Sequence, residues 1–418
     1  MTTTRPAAGV PEPSQVRERV DAARRGLAEA MLEQDAKAVE SAVARMHEAL
    51  GEWVAVPETA PRFAGSPNPD IAVTPERLQR LWDAGWAAAE KAYSGDGRWG
   101  LPLTDLRGSG KGGPADRPEV RHTLLRRTAY VIIGGITAIR HGFGDQAAIR
   151  KRVKEGLGYL LSVQKPGGLF PFPDVRGRHP HFTPPLESLY HQHPEAFQDG
   201  WVIDDFGDGG LQFDNGVCAV TMLTAFEHFK TAAYRESAER ACRWAVGRPV
   251  VPNWNYNAFS VWALARHIEV TGEEELRVPA IQKAVLGILP GQLPAGRWLD
   301  RHNCRTVYHA INLRGLAVLY RVLPNEPSLR RWVRSAIERA EAVLLDELYT
   351  VGASDADHSL TALCEVEKAL GPSARRLGAM RVTVNAMIAR LVDGRATELD
   401  DVSLLAVGQA VEAFAKRQ

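Results

Sequence analysis

The sequence has few cysteines, few aromatic residues, almost no net charge and no long apolar run. Its four cysteines are far apart and form no Cys-x-x-Cys pair, which argues against a disulfide framework or a zinc ribbon. The balance of 51 basic against 50 acidic residues gives no electrostatic basis for binding nucleic acid or an anionic membrane. No stretch approaches the roughly 20 apolar residues of a membrane span, and residues 1–15 lack the apolar core of a secretory signal. We therefore expect a cytoplasmic protein without a membrane span.

The composition is that of a folded protein, with 45% hydrophobic and 24% charged residues among 418. Residues 1–15, rich in proline and threonine, are expected to form a disordered lead. Residues 16–73 are predicted to form a charged helical hairpin, with helices over 16–32 and 36–53, followed by a proline-rich connector. The main domain is expected to occupy residues 74–418.

Two kinds of predicted helix alternate along this main domain. The first kind is amphipathic, with apolar residues at i, i+3, i+4 and i+7, as in residues 149–161, 329–344 and 377–391. The second kind is apolar nearly all round and must be buried on all sides. Its members are residues 128–139, 216–226, 258–265, 310–320, 359–370 and 402–414. They recur about every 45 to 50 residues over most of the chain, which is the period of helical-hairpin repeats.

Alternating buried and half-buried helices fit either an open solenoid or a closed ring with an inner barrel. The loops that precede the buried helices are long, polar and aromatic, which favours a ring whose loops build one pocket. The sequence therefore predicts an all-α fold, an (α/α)6-type toroid with the N-terminal hairpin as an appendage.

One insert, residues 164–214, is longer than the repeat requires. It combines proline pairs with glycines at 207, 209 and 210. We expect it to be a lid or a pocket wall in which Tyr190, Trp201 and Phe206 cover a ligand. The alternative is a surface loop packed only on itself.

Polar residues concentrate where the chain enters the predicted buried helices, and these entries meet at one end of a toroid. A helix beginning near Cys304 would place Arg305, Tyr308 and His309 on one face. We expect Arg301 or Arg305 to bind a carboxylate, and His302, Tyr308 or His309 to exchange a proton with a substrate. Hydrolysis would instead use two facing carboxylates, Asp214 and Asp357. The residues expected to contact substrate are Trp254, Asn255, Asn257, Arg301, Asn303, Tyr190 and Trp201.

Each of these predictions has a structural alternative. Asp214, Asp355 and Asp400 can be helix N-caps, because aspartate accepts hydrogen bonds from the unpaired amides of a first turn. The polar segment 300–309 can be an ion-pair and hydrogen-bond cluster between hairpins.

A divalent cation is the one cofactor that the sequence suggests. The insert contains two His-x-His pairs, a spacing that can chelate a transition metal, and a cluster of aspartates that can offer oxygen ligands to Ca²⁺ or Mg²⁺. The candidate ligands are His179, His181, His191, His193, Asp204, Asp205 and Asp208. The alternative is a set of solvated loop side chains.

The start of the insert carries a resemblance to known toroids. Its Gln-x-x-Gly-Gly-x-aromatic-Pro element is made of Gln164, Gly167, Gly168, Phe170, Pro171 and Pro173. This element resembles one that precedes a buried helix in α/α-toroid carbohydrate enzymes, and the layout is similar to that of helical pectate lyases. The Phe-Asn-Asp turn of that family stands here as Phe213, Asp214 and Asn215, with the two polar residues exchanged, and the family's catalytic arginine and lysine have no counterpart that we can place. The resemblance implies a lyase that cleaves uronic-acid-containing oligosaccharides by β-elimination.

The same element also resembles the repeat of squalene-cyclase-like toroids. Asp355-Ala-Asp357-His358 resembles the Asp-x-Asp-Asp acid of class II terpene cyclases, with the last aspartate replaced by histidine. Asp204-Asp205-x-x-Asp208 matches an Asp-Asp-x-x-Asp pattern, although the neighbouring glycines disfavour the helix that this pattern needs. A terpene cyclase is therefore an alternative to the carbohydrate enzyme, and a non-catalytic toroid that binds a glycan or a protein partner is another.

Overall fold

The structure is a computed structural model that describes residues 36–51, 68–100, 123–177, 182–298, 302–350, 352–353, 355–392 and 404–415, with a few positions between 19 and 30. The predicted disordered lead, most of the predicted connector, and Arg301 lie outside the described residues, as do His179, His181 and Asp400.

Besides the described positions between 19 and 30, which are helical as well, the structure gives the bounds of fourteen α-helices. They are α1 Ala36–Gly51, α2 Pro75–Lys91, α3 Leu125–His141, α4 Gln146–Val163, α5 Thr183–Gln192, α6 Leu211–Phe229, α7 Ala232–Val246, α8 Trp254–Thr271, α9 Arg277–Gly287, α10 Thr306–Val322, α11 Pro327–Thr350, α12 Ala356–Leu370, α13 Ala374–Leu391 and α14 Leu404–Ala415. None of the helices in the described ranges is long and apolar enough to cross a bilayer.

Six of these helices form a closed inner ring. Helices α3, α6, α8, α10, α12 and α14 each pack on the next, and α14 packs back on α3. Helices α2, α4, α7, α9, α11 and α13 pack around them as an outer layer. The contact between α14 and α3 excludes an open solenoid, so the predicted all-α toroid is confirmed. Every predicted buried segment falls on an inner helix, the last one from residue 404 onward.

Glycine allows the ring to close. A Cβ atom on Gly134 of α3 would lie 2.1 Å from the carbonyl oxygen of Leu404, and one on Gly408 of α14 would lie 2.8 Å from the Cα of Gly134. The backbones of the first and last inner helices are therefore in direct contact, which no larger residue at these positions would permit.

A recurring turn joins each of three outer helices to the chain that leads to the next inner helix. In the turn after α4, the Gln164 amide donates to the carbonyl of Gly168 (3.0 Å) and to that of Ser237 on α7 (2.9 Å). Gln292 makes the same pair of bonds, to Gly296 (3.1 Å) and to Ala336 on α11 (2.8 Å). The element that carries the resemblance to other toroids therefore has a packing role here: it fastens a loop to the next outer helix.

The glycine of this turn has a positive φ at each site, 96° at Gly168 and 99° at Gly296. A third copy, without the glutamine, contains Gly97 with φ 86°. In all three copies a Cβ on the glycine would collide with a carbonyl of an outer helix, so glycine is required both for conformation and for close approach.

Ion pairs connect all six inner helices at their C-terminal ends, which we call the closed end. The chain of pairs runs through Arg140 and Glu227 (3.8 Å), Glu227 and Arg266 (2.7 Å), Arg266 and Glu269 (2.6 Å), Glu269 and Arg321 (2.5 Å), Arg321 and Glu365 (2.7 Å), Glu365 and Lys368 (3.0 Å), and Lys368 and Glu412 (3.7 Å). Burial raises the pKa of Glu365, but Lys368, Arg321 and Arg266 outweigh it and hold that pKa at about 2. The common location of these ends also shows that all six inner helices run in the same direction.

The insert is a small folded unit. It contains α5 and three two-residue strands, β1 Phe172–Pro173, β2 Phe197–Gln198 and β3 Trp201–Val202, which pair antiparallel in the order β1-β3-β2. A separate apolar cluster holds it to the start of α6, with Leu169, Phe172, Val175, Val202 and Leu211 buried. The insert thus packs against the toroid at the end where the inner helices begin.

Helix α1 also lies against the toroid. Its Ala42 is fully buried within the main hydrophobic core, and the helix packs near the 3-10 turn Leu289–Gly291.

Candidate functional site

The end at which the inner helices begin, which we call the mouth, differs from the closed end because buried polar groups below it have no hydrogen-bond partner among the described residues. Its walls are the first turns of the inner helices and the loops before them. Most of the residues singled out by the sequence lie here, but they face different directions.

Asp214 is fully buried in the first turn of α6 and bonds Arg126 of α3. Its carboxylate accepts from the backbone N–H (3.1 Å), Nε (3.0 Å) and Nη2 (2.5 Å) of Arg126. The guanidinium also lies 3.7 Å from the ring centre of Phe213. Asp214 is therefore not an N-cap, and both of its oxygens are used in holding two inner helices together.

His302, Arg305 and Tyr308 form a cluster at the start of α10. Arg305 Nη2 lies 2.9 Å from His302 Nδ1, which must accept because a guanidinium can only donate. The imidazole stacks on the Tyr308 ring with centres 3.9 Å apart, and the guanidinium carbon lies 4.8 Å from the centre of the same ring. Arg305 is exposed and has no carboxylate partner within the described ranges, and the Tyr308 hydroxyl makes no hydrogen bond to the described residues. The structure thus assembles three of the predicted residues.

His309 faces away from this cluster. It is fully buried, its Nε2 lies 2.8 Å from the carbonyl oxygen of Ala340 on the outer helix α11, and its ring contacts Trp298. Burial lowers its pKa to about 3, so the imidazole is neutral and donates to that carbonyl. The expectation that His309 shares a face with Arg305 and Tyr308 is wrong, because the helix begins at Thr306 and Arg305 precedes it with an extended backbone, so the i, i+3 and i+4 spacing does not apply.

Four of the residues expected to contact substrate are buried between the hairpins. Trp254 is fully buried, and its indole packs on Gly291. The Asn257 amide bonds the carbonyls of Val251 (2.7 Å) and Gly287 (2.8 Å) and accepts from the Val251 N–H. Asn255 and Asn303 bond each other and Asn253. These contacts join the loop before α8 to the loop before α10 and give all four side chains structural roles.

The insert residues are divided between core and surface. Trp201 is buried in the main core, so it does not cover a ligand in this arrangement. Tyr190 is partly exposed, with the Arg176 guanidinium 3.5 Å from its ring centre, and Phe206 is exposed and stacked against His193.

The described members of the candidate metal set do not come together. Asp204 bonds Arg248 and the Phe206 N–H, Asp205 bonds the N–H groups of Gly207 and Leu211, and His193 lies beside Glu195. Asp208 and His191 are exposed. Of the residues that the structure describes, none of these five belongs to a trio of ligand atoms close enough to share an ion.

At α12, Asp355 is the N-cap that the alternative interpretation predicts, and it accepts from the His358 N–H at 2.9 Å. Asp357 is half-buried in the first turn. The His358 ring meets the edge of Tyr130 on α3, with centres 6.3 Å apart. Burial, together with Arg314 and Arg126, lowers the pKa of His358 to about 3.

Arg314, which the sequence patterns did not single out, lies in the middle of α10 and is fully buried. Its guanidinium carbon lies 3.7 Å from the ring centre of Trp262 and 5.1 Å from that of Phe259, both on α8. None of its three nitrogens bonds any residue in the described part of the chain. A charged residue inside the apolar run 310–320 was the signal that could have identified it.

Comparison with known proteins gives similarity in structure alone. The chain matches no protein-family model and no curated protein sequence. Among solved structures it is similar to a mutant unsaturated glucuronyl hydrolase from Streptococcus agalactiae complexed with dGlcA-GalNAc6S, at a TM-score of 0.47 and 10% identity over 84% of this chain and 97% of that one. It is also similar to the α-1,6-mannanase GH76A from Salegentibacter sp. HEL1_6, at a TM-score of 0.33 and 14% identity over 75% of this chain and 99% of that one.

Proposed function

We propose that this protein is a carbohydrate-active enzyme that cleaves a uronic-acid-containing oligosaccharide by β-elimination at the mouth of the toroid. The observation that carries the proposal is the cluster of His302, Arg305 and Tyr308. It combines a guanidinium without a carboxylate partner and a phenol without a hydrogen bond to the described residues, at a half-open position on the first turn of an inner helix.

β-Elimination uses a cationic group that binds the substrate carboxylate and a second group that transfers a proton. A base removes the proton on the carbon next to the carboxylate, the electron pair forms a carbon–carbon double bond, the bond from the β-carbon to the glycosidic oxygen breaks, and an acid protonates that oxygen. Arg305 would bind the carboxylate and stabilise the negative charge that develops on it. Tyr308, starting as the phenolate, would take the proton from the carbon next to the carboxylate and then, as the phenol, give it to the leaving glycosidic oxygen. His302, whose Nδ1 accepts from Arg305, would hold the guanidinium above the phenol ring.

The carboxylates at the mouth favour elimination over hydrolysis. Hydrolysis requires one carboxylic acid and one carboxylate on opposite sides of the bond. Asp214, one of the two carboxylates that the hydrolytic alternative assigns, is bonded at both oxygens by Arg126.

The test is a screen of acidic oligosaccharides that records ultraviolet absorbance of unsaturated uronides beside newly formed reducing ends. We expect both signals to appear in equal amounts. Tyr308→Phe should lower kcat by about 10²- to 10⁴-fold without changing Tm, because it removes only the proton-transfer group. Tyr320→Phe is the matched control, since Tyr320 lies on the same helix at the closed end.

Reducing ends without ultraviolet absorbance would show hydrolysis and contradict the proposal. Full activity in Tyr308→Phe would remove Tyr308 from the reaction. Absence of any product from all acidic oligosaccharides would favour the cyclase or binding alternatives.

A further inference from the structure

Arg314 is a buried guanidinium that forms no ion pair or hydrogen bond with the described residues. Its Nε, Nη1 and Nη2 are all buried, and none has a hydrogen-bond partner in the described ranges. The rings of Trp262 and Phe259 attract the cation but accept no conventional hydrogen bond from it. A buried guanidinium in this state is costly, and one that is retained calls for a ligand or a structural reason.

Two other polar groups near Arg314 share this condition. The Tyr130 hydroxyl and His358 Nδ1 are buried, and neither bonds any residue that the structure describes. Tyr130 lies on α3, directly across the ring from α10, and burial raises its pKa while Arg314 opposes that rise. The Tyr130 ring meets the ring of His358 on α12, a helix that is not next to α3 in the ring, so these two rings lie inside the barrel.

The three groups occupy successive depths below the mouth. His358 is the third residue of α12, Tyr130 the sixth of α3 and Arg314 the ninth of α10. Helical side chains lean toward the N-terminus, so the long Arg314 side chain extends back toward the mouth. His358 is half-buried and Tyr130 is 8% exposed, whereas Arg314 has no exposed surface. Arg314 therefore lies further from the start of its helix, and is more deeply buried, than the other two groups.

We propose that Arg314 is an anion-binding residue that takes the carboxylate of a terminal uronic acid unit, with the Tyr130 hydroxyl as a second donor. The inference takes its substrate class from the proposed function. It adds Arg314 as a second carboxylate-binding position, in addition to the one at Arg305. A chain of uronic acids would then enter end first, with one carboxylate on each guanidinium. Because Arg314 has no exposed surface in this structure, side chains that cover it must move before the ligand can bind.

The test is thermal unfolding in sodium glucuronate, in sodium chloride of equal ionic strength and in glucose. We expect glucuronate to raise the Tm of the wild type above its value in either control. In Arg314→Met, glucuronate should not raise the Tm. Without ligand this variant should unfold at a temperature no lower than that of the wild type, because the substitution removes a buried charge that has no partner among the described residues. Arg334→Met is the matched control, since Arg334 is exposed on α11 and pairs with Glu338 on the same helix, and it should keep the full rise.

A glucuronate response in Arg314→Met equal to that of the wild type would overturn the inference, as would a marked fall in its Tm without ligand. If Arg314→Met does not fold, Arg314 has a structural role and the inference fails. As a second variant, Arg314→Lys keeps the charge without the planar fork and should need at least about tenfold more glucuronate for the same rise. An equal Arg314-dependent response to sodium sulfate would overturn the assignment to a carboxylate.

The outcome separates the two proposals. Arg314-dependent binding of glucuronate without turnover of any uronide would refute the proposed function and support this inference. Turnover by elimination with an unchanged KM in Arg314→Met would support the function and refute the inference.

Discussion

At the closed end of the toroid, ion pairs connect all six inner helices, whereas at the mouth a guanidinium, a phenol and an imidazole nitrogen are buried without partners in the described chain. Helix α10 contains both situations. Arg321 bonds Glu269 and Glu365, while Arg314, two turns closer to the mouth, bonds neither a carboxylate nor a carbonyl of the described residues.

This difference in pairing indicates which charged residues stabilise the fold. A buried charge costs free energy unless it is paired, so pairing is expected wherever its role is to hold helices together. Arg321 meets that expectation by joining α8, α10 and α12. Arg314 does not, although the same two neighbouring helices are within reach, which is why we assign it to a ligand.

The largest effect expected from this comparison is that of Arg321→Met. The substitution leaves Glu269 and Glu365 without their shared cation and should lower the free energy of unfolding by about 3–5 kcal/mol. Urea denaturation measures the change, and the exposed Arg334→Met should cost less than about 1 kcal/mol. If Arg321→Met and Arg314→Met change stability equally, the distinction between the two ends is wrong.

The second prediction concerns the contact between α3 and α14 that closes the ring. Gly134→Ala should cost about 3 kcal/mol, because its methyl group would overlap the Leu404 carbonyl and force α3 and α14 apart. Gly158→Ala is the control: it lies on the exposed face of α4 with open space around it and should gain about 1 kcal/mol from helix propensity. Similar stabilities for the two variants would show that α3 and α14 tolerate a wider spacing.

The smallest expected effect is the loss, at acidic pH, of the stability that Glu365 contributes. The folded-state pKa of Glu365, about 2, is below its usual value of 4.5, so its stabilisation is present above pH 4.5 and is lost as pH falls toward 2. The difference in stability between wild type and Glu365→Gln should shrink by about 1 kcal/mol between pH 7 and pH 4. The same measurement on the exposed Glu338→Gln should show little change. A difference that grows on acidification would contradict the assigned direction.

Much of the fold could be predicted from hydrophobic periodicity. Helices that are apolar all round must be buried all round, and six of them at a regular spacing leave few arrangements other than a ring. The inner ring therefore follows the pattern of residues 128–139, 216–226, 258–265, 310–320, 359–370 and, as far as the structure describes it, 402–414.

The candidate site was predicted less completely. The polar segment before α10 was identified, and His302, Arg305 and Tyr308 do lie together. His309 was misplaced because α10 begins at Thr306 and not near Cys304, which leaves Arg305 outside the helix. The histidines and aspartates of the insert suggested a metal by their spacing, but the described ones bond arginine, glutamate and backbone groups instead, or are exposed.

The sequence by itself determined that the chain is helical, that its helices alternate between buried and half-buried, and that its polar residues gather before the buried helices. These properties depend on the spacing of apolar residues within each helix, which can be recognised in the sequence of that helix alone. Only the tertiary structure decided which buried charges are paired, because pairing joins helices far apart in the chain: Asp214 to Arg126 across two neighbouring inner helices, and Arg314 to no residue of the described chain. The cost of burying a charge depends on what surrounds it, and the surroundings of Arg314 come from helices on opposite sides of the ring.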